Sequence, residues 1–180
     1  MPRLFVAVWA SPEVRERARA VQAALGAQSR ELRFTEHEQL HATLVFLGTI
    51  DEGRAGEAER ACAKTAQASA PFSVAIDRLG AFPSERRAGT LWLGSRREEP
   101  AFGVLTERLR GMLRDAGFAL DEKAAIVHVT LARAKTPIVL PALDVAAVAW
   151  PIQRIALVES RTLPQGARYT ERRSWELAGA

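Results

Sequence analysis

The chain has 180 residues, of which 48% are hydrophobic and 26% charged, and this balance excludes a disordered, collagen-like or low-complexity chain. Lys and Arg number 25 against 21 Asp and Glu, so the net charge is +4, and 22 of the basic residues are arginine. This charge is too small to indicate a nucleic-acid or membrane partner by itself. The arginine excess reflects either the base composition of the gene or phosphate recognition, because guanidinium binds phosphate through two parallel hydrogen bonds.

The single cysteine, Cys62, excludes an intrachain disulfide and argues against a cysteine-based metal site. The apolar run Leu4–Ala10 covers seven residues, which is too short to cross a membrane, and no signal cleavage pattern follows it. We therefore expect a cytoplasmic protein that has no membrane partner, no metal and no cofactor. We also expect a monomer.

Hydrophobic periodicity predicts a chain of mixed helices and strands. The predicted helices are Glu13 to about Leu25, Asp51–Ser69 and Glu98–Ala116. Ser11 is a suitable N-cap for the first helix, Gly26 a suitable end for it, and Gly117 a suitable end for the third. The predicted strands are Leu4–Trp9, Leu32–Phe34, Leu40–Leu47, Pro71–Leu79, Thr90–Leu93, Ile126–Ala132, Ile152–Glu159 and Arg168–Leu177. Pro83–Gly89 is predicted to be a polar loop. The pattern of Pro137–Pro151 favours neither a helix nor a strand. The order predicts an α+β fold with antiparallel sheets and one domain over residues 1–180.

Two predicted strands share the pattern H-x-T-L, which begins at His41 and again at His128, 128 − 41 = 87 residues later. The chain has only three histidines and ten threonines, so this coincidence indicates two related halves. Residues i and i+2 of a strand point to the same face. His41 and Thr43 therefore share one face, as do His128 and Thr130, and related halves would place all four side chains around one cleft.

Two imidazoles and two hydroxyls suit an in-line displacement at phosphorus. One histidine can act as the base on the attacking side and the other as the acid on the leaving side, since imidazole titrates near neutral pH. Threonine hydroxyls can donate to the phosphate oxygens. Taken singly, either histidine could be a core residue and either threonine a strand former, and a metal-binding pair is a further alternative. His37 lies between two glutamates, and we expect it in an exposed loop without a role.

Paired H-x-T-x motifs about half a chain apart resemble those of the 2H phosphoesterase superfamily, in particular its bacterial and archaeal RNA 2′,3′-cyclic phosphodiesterases, also called 2′-5′ RNA ligases. The segments that carry the resemblance are Arg3–Val8, Leu40–Gly48, Leu91–Gly94, His128–Arg133, Leu157–Ser160 and Gly166–Tyr169. The resemblance implies two pseudo-symmetric lobes, each with an antiparallel sheet and outer helices, around a central cleft. The chain has Val127 where many relatives have proline before the second histidine.

The resemblance also implies a role for each motif residue. His41 would protonate the leaving oxygen and His128 would activate water, while Thr43 and Thr130 bind the phosphate. Two further positions would contact the substrate: Arg133 as a phosphate ligand and Phe46 as a stacking partner for a base. Both lie five residues after their histidine, so simple alternation places them on the opposite face, and they reach the cleft only if the strand twists, bulges or ends there.

The activity that the resemblance implies is hydrolysis of a terminal RNA 2′,3′-cyclic phosphate to a 2′-phosphate. The expected partners are therefore RNA ends or oligonucleotides that carry this group. Three alternatives stay open: a 2′-5′ RNA ligase, an RNA-binding module with a vestigial site, and a phosphodiesterase for small nucleotides. Four other arginines are expected at the solvated surface, namely Arg86, Arg87, Arg161 and Arg168.

Overall fold

The computed structural model describes residues 1–164 and 166–179, which form ten strands, three α-helices and a short 3-10 helix. The strands are β1 (Arg3–Trp9), β2 (Leu32–Phe34), β3 (His41–Thr49), β4 (Phe72–Ile76), β5 (Arg78–Ser84), β6 (Arg87–Gly94), β7 (His128–Ile138), β8 (Val148–Ile152), β9 (Arg154–Leu163) and β10 (Gly166–Glu176). The α-helices are α1 (Pro12–Gln28), α2 (Glu52–Gln67) and α3 (Pro100–Asp115), and the 3-10 helix spans His37–Gln39. Within the described residues, no helix is both long and apolar enough to span a membrane.

The strands form one large sheet and one small sheet, and all of their pairings are antiparallel. The large sheet has the order β10-β9-β1-β3-β7-β6-β5, with β2 also paired to β7, and β4 pairs with β8 in the small sheet. The centre of the large sheet is the contact between the two motif strands, with β1 and β9 beyond β3, and β6 and β5 beyond β7. The predicted α+β class and antiparallel sheets are confirmed.

The side chains of alternate residues of β1 point to opposite faces of the large sheet. Leu4 and Val6 are fully buried in the main core, to which all three α-helices contribute. Phe5 and Ala7 belong to a smaller cluster on the other side, against which Trp9 packs. We call this second side, marked by Phe5, Ala7 and Trp9, the open face. Burial on both sides explains why β1 is a continuous apolar run.

Three predicted boundaries were wrong for local physical reasons. The segment Pro71–Leu79 is not one strand, because the chain leaves the small sheet and enters the large one at Asp77, between β4 and β5. Most of the predicted loop Pro83–Gly89 belongs to the β5–β6 hairpin. The first helix continues past Gly26 to Gln28, because Gly26 does not adopt the positive φ with which a glycine ends a helix.

Other local predictions were confirmed. The Ser11 side chain accepts a hydrogen bond from the Val14 amide at the start of α1. Gly117 follows α3 with φ of 79°, and the Phe118 amide donates back to the Leu113 carbonyl at 3.0 Å. Cys62 is a buried residue of α2, and burial raises the pKa of its thiol to about 12.

Candidate active site

The two motif strands pair with each other at a single position, Ala42 opposite Val129. Both of these side chains are fully buried in the core. The motif histidines and threonines flank this pair on the open face, and an antiparallel register sets His41 beside Thr130 and Thr43 beside His128. Four of the predicted site residues are therefore brought together at the centre of the sheet, as the repeat indicated.

Each motif strand carries a β-bulge, and the two bulges are equivalent. In the pairing of β3 with β1 the register skips Leu44, and in the pairing of β7 with β6 it skips Leu131. These leucines lie 131 − 44 = 87 residues apart, the same offset as the histidines. A bulge reverses the alternation of side chains beyond it.

The bulges bring the two odd-offset residues to the open face. Phe46 pairs with Phe5, which lies on that face, and 62% of the Phe46 surface is exposed. Arg133 pairs with Thr90 and donates from Nη1 to its hydroxyl at 3.1 Å. Arg133 thus lies on the same face as Thr130, and the condition for Phe46 and Arg133 to reach the cleft is met.

Both motif histidines are oriented by a backbone carbonyl two residues earlier in the chain. The Nδ1 atom of His41 lies 2.7 Å from the Gln39 oxygen, and Nδ1 of His128 lies 2.8 Å from the Ile126 oxygen. Because a carbonyl oxygen can only accept, Nδ1 is the protonated nitrogen in each ring. Nε2 of each neutral imidazole therefore keeps its lone pair for the cleft.

Three aromatic rings surround His41, and the sequence motif identifies none of them. Phe5 and Tyr169 have ring centroids 5.0 Å and 5.0 Å from that of His41, and Trp9 lies at 5.7 Å. The Gln39 side chain accepts from the Tyr169 amide at 2.6 Å, so Gln39 holds both the imidazole and the strand that carries its tyrosine neighbour. His41 is thereby enclosed by residues from β1 and β10.

His128 has an equivalent aromatic environment from the β5–β6 hairpin. The Phe82 ring lies 5.1 Å from the imidazole and the Trp92 ring 6.3 Å from it. A Cβ at Gly80 would overlap the Trp92 ring, so glycine is required for this indole to lie flat over β5. These aromatic residues lie far from His128 in sequence, and no spacing pattern links them to it.

Burial lowers the pKa of both histidines. Loss of water lowers the pKa of His41 from 6.5 to about 4; the charge of His128 acts in the same direction, and the Gln39 carbonyl acts against both. Burial also lowers the pKa of His128, against the opposing effect of the Ile126 carbonyl. Both imidazoles are therefore neutral at neutral pH in the free protein.

A cavity of about 500 Å³ opens beside Thr43 and His128. Phe46 and Phe82 line its aromatic side, and the segment 123–126 lines another. Arg110 of α3, which is only 8% exposed, lines the cavity too and donates to the Lys123 carbonyl at 2.6 Å. Arg110 therefore anchors the irregular segment that also supplies the Ile126 carbonyl for His128.

His37 lies outside the cavity but is not in an exposed loop. It belongs to the 3-10 helix and donates from Nε2 to the Gln22 side chain at 2.9 Å, while Nδ1 accepts from Arg19. The amide nitrogen of Gln22 donates in turn to the carbonyls of Thr35 and of Leu131, the bulge residue of β7. His37 thus supports the motif strand, and only the three-dimensional contacts reveal this link. Across residues 1–164 and 166–179, no three His, Cys, Asp or Glu side chains form a cluster suited to a metal ion.

Comparisons with known proteins agree with this geometry. The RNA 2′,3′-cyclic phosphodiesterase of Thermus thermophilus is 32% identical over 189 aligned residues, which cover 98% of this chain and 91% of that protein. The protein of the same description from Methanothermobacter thermautotrophicus is 28% identical and covers 94% of this chain and 95% of its own length.

Solved structures agree as well. The crystal structure of TT0787 of Thermus thermophilus superposes with a TM-score of 0.82 at 31% identity over 98% of both chains. Escherichia coli LigT in its apo form shares the fold, with a TM-score of 0.81 at 22% identity over 97% of this chain and 96% of that one. A family model described as LigT like Phosphoesterase matches residues 8–92, which include the first motif. The chain therefore belongs to the LigT-like phosphoesterase family.

Proposed function

We propose that the protein is an RNA 2′,3′-cyclic phosphodiesterase that opens terminal cyclic phosphates to 2′-phosphomonoesters with two histidines and without a metal. The observation that carries the proposal is the matched pair of imidazoles. His41 and His128 flank the β3–β7 pair, and each has Nδ1 bound to a backbone carbonyl and Nε2 left for the cleft. The names of the relatives support the same substrate class.

In the proposed reaction, Nε2 of His128 takes a proton from water as the water oxygen attacks phosphorus. The bond between phosphorus and the ribose 3′ oxygen breaks, and Nε2–H of His41 gives its proton to that oxygen. The 2′ oxygen keeps its bond to phosphorus, so the product is a 2′-phosphate with a free 3′ hydroxyl. Proton exchange with solvent then restores both histidines.

The lowered pKa of His41 fits this scheme if the substrate itself supplies the missing charge. A phosphodiester anion beside the imidazole favours its protonated form and raises the pKa of His41 from the value of about 4 in the free protein. The acid is then charged chiefly when substrate is bound. In this proposal the hydroxyls of Thr43 and Thr130 donate to the non-bridging oxygens.

The two odd-offset residues would orient the substrate. Phe46 is exposed and lines the cavity with Phe82, which suits stacking of a nucleobase. Arg133 presents its guanidinium on the same face and suits a phosphate oxygen. All of these residues come from one chain, so the proposed site needs no second subunit, and the proposal includes a monomer with one domain of two lobes. Cys62 is a free and buried thiol, as is common in proteins of a reducing compartment, and we therefore propose that the protein acts in the cytoplasm.

The test is hydrolysis of an oligonucleotide with a 2′,3′-cyclic phosphate end in the presence of EDTA. We expect turnover by the wild type and a loss of roughly 10²–10⁴-fold in His128→Ala, which lacks the base. Circular dichroism would confirm that the variant is folded. An inactive but folded wild type, or full activity of His128→Ala, would contradict the mechanism.

The same pair of histidines can also join RNA ends while each keeps its role. The 5′ hydroxyl of a second RNA end would replace water as the nucleophile, Nε2 of His128 would take its proton, the bond to the 3′ oxygen would break and a 2′-5′ bond would form. The cavity of about 500 Å³ beside His128 favours this second activity as an alternative, because it leaves room for a second RNA end. Assaying hydrolysis and joining on the same labelled RNA separates the two roles.

A further inference from the structure

Arg33 of β2 lies directly opposite Arg133 of β7 in an antiparallel pair. Opposite residues in such a pair project to the same face of the sheet. The bulge at Leu131 places Arg133 on the open face with Thr130, so Arg33 lies on that face as well. The cationic surface beside the second motif therefore includes both arginines, although neither motif includes Arg33.

The charges of this pair are not compensated within the part of the chain that the structure describes. Neither Arg33 nor Arg133 has a carboxylate within 4.0 Å there, whereas Arg154 pairs with Glu171 and Arg172 with Glu52 elsewhere in the same sheet. Like charges directly opposite each other destabilise a strand pair. An anion bound between them would remove this cost.

Arg33 is also held at the edge of the open face by the β9–β10 hairpin. A Cβ at Gly166 would overlap a terminal nitrogen of the Arg33 guanidinium and lie 3.0 Å from its central carbon. The guanidinium therefore approaches the backbone of Gly166 with one terminal nitrogen, and a side chain at that position would displace it. Arg33 thus extends toward the β9–β10 hairpin, whereas Arg133 extends toward Thr90 of β6, so the two guanidinium groups can contact different groups of one ligand.

We propose that Arg33 binds a second phosphate of the RNA strand, next to the reacting phosphate that Arg133 would contact. The inference rests on the proposed function and adds its substrate class. A cyclic mononucleotide has one phosphate and cannot use Arg33, whereas an oligonucleotide has a phosphodiester one sugar away. Guanidinium suits this contact because it pairs with phosphate through two hydrogen bonds. The site therefore selects a strand end over a small nucleotide.

The test compares uridine 2′,3′-cyclic phosphate with a dinucleotide that ends in the same group. The measured quantity is the ratio of kcat/KM for the dinucleotide to kcat/KM for the mononucleotide. We expect Arg33→Ala to lower this ratio about tenfold, the size of one lost charge-assisted contact. Arg33→Lys keeps the charge and should therefore lower the ratio by less than Arg33→Ala does. Arg60→Ala, on the exposed side of α2, removes the same charge at a distance and should leave the ratio unaltered.

A change in the substrate provides a test that does not depend on how the variants fold. In a third substrate, the linkage of the dinucleotide carries an uncharged methylphosphonate in place of the phosphodiester. With this substrate, kcat/KM of the wild type should fall by about the same factor as Arg33→Ala lowers it with the normal dinucleotide. For Arg33→Ala, kcat/KM should be nearly the same with the two linkages.

Other outcomes separate the two proposals. An equal loss on the mononucleotide and the dinucleotide in Arg33→Ala would assign Arg33 to the reacting phosphate and overturn the inference. An unaltered ratio would make Arg33 a solvated surface residue and overturn it too. If the folded wild type hydrolyses neither substrate, the proposed function itself fails, and this inference falls with it.

Discussion

Mild acid should destabilise the folded protein through His41. Its imidazole lies 5.0 Å from the rings of both Phe5 and Tyr169, and burial lowers its pKa from 6.5 to about 4. As the pH falls below 6.5, the unfolded chain binds this proton before the folded protein does. The contribution of neutral His41 to stability is thus present above pH 6.5 and is lost progressively as the pH falls to about 4.

The size of the effect follows from the difference between the two pKa values. The gap is 6.5 − 4 = 2.5 units for a pKa of about 4 in the folded state. One unit corresponds to about 1.36 kcal/mol, so the full loss is about 3 kcal/mol. Between about pH 7 and pH 5 the expected loss is about 2 kcal/mol, a large share of the stability of a typical domain.

The assay is urea unfolding of the wild type and of His41→Asn at about pH 7 and about pH 5. The asparagine amide can still donate to the Gln39 carbonyl but does not titrate. The ionisable groups that do not interact with His41 are common to both proteins, and their contributions cancel in the comparison. We expect the free energy of unfolding to fall by about 2 kcal/mol more in the wild type than in the variant between the two pH values. Equal losses in both proteins would refute the assignment of a depressed pKa to His41.

Three further predictions concern activity and packing. The pH profile of kcat/KM should be bell-shaped with its optimum below neutral, because burial lowers the pKa of both His41 and His128 in the free enzyme, and an optimum above about pH 7 would contradict this. Gly80→Ala should lower the free energy of unfolding by about 1–3 kcal/mol in a urea titration, because the added methyl group overlaps the Trp92 ring, and an unaltered midpoint would contradict that packing. Phe46→Ala should raise KM for an oligonucleotide roughly tenfold in steady-state assays through lost stacking, and an unaltered KM would remove Phe46 from the binding surface.

The sequence was sufficient to predict the centre of the site. The repeat of His and Thr with an offset of 87 residues is rare in a chain with three histidines, and a strand places residues i and i+2 on one face. Together these facts predicted that two motif strands face one cleft. They also predicted that Phe46 and Arg133 reach the cleft only if the strand twists, bulges or ends there, and the register has a bulge between each histidine and the residue that follows it by five positions, at Leu44 in β3 and at Leu131 in β7.

The environment of the histidines could not be predicted in the same way. Trp9, Phe82 and Tyr169 reach the imidazoles through strand pairings between distant segments, and no local pattern encodes which strands become neighbours. The same holds for Arg33, whose importance depends on its partner across the β2–β7 pair. The depressed pKa values are a consequence of these long-range contacts, so they too were absent from the sequence interpretation.

The two bulges divide the site into a symmetric part and an asymmetric part. Before each bulge the halves carry the same histidine and threonine, and His41 and His128 have equivalent carbonyl partners. Beyond each bulge the equivalent positions differ, with an aromatic ring at Phe46 and a cation at Arg133. Symmetric imidazoles alone could act as acid or base with equal ease. In the proposed binding mode the asymmetric pair removes this equivalence, because a nucleotide with its base toward Phe46 and its phosphates toward Arg133 meets the histidines in one orientation. We therefore expect the assignment of acid and base to follow from how the substrate binds, together with the different surroundings of the two imidazoles, three aromatic rings at His41 and two at His128.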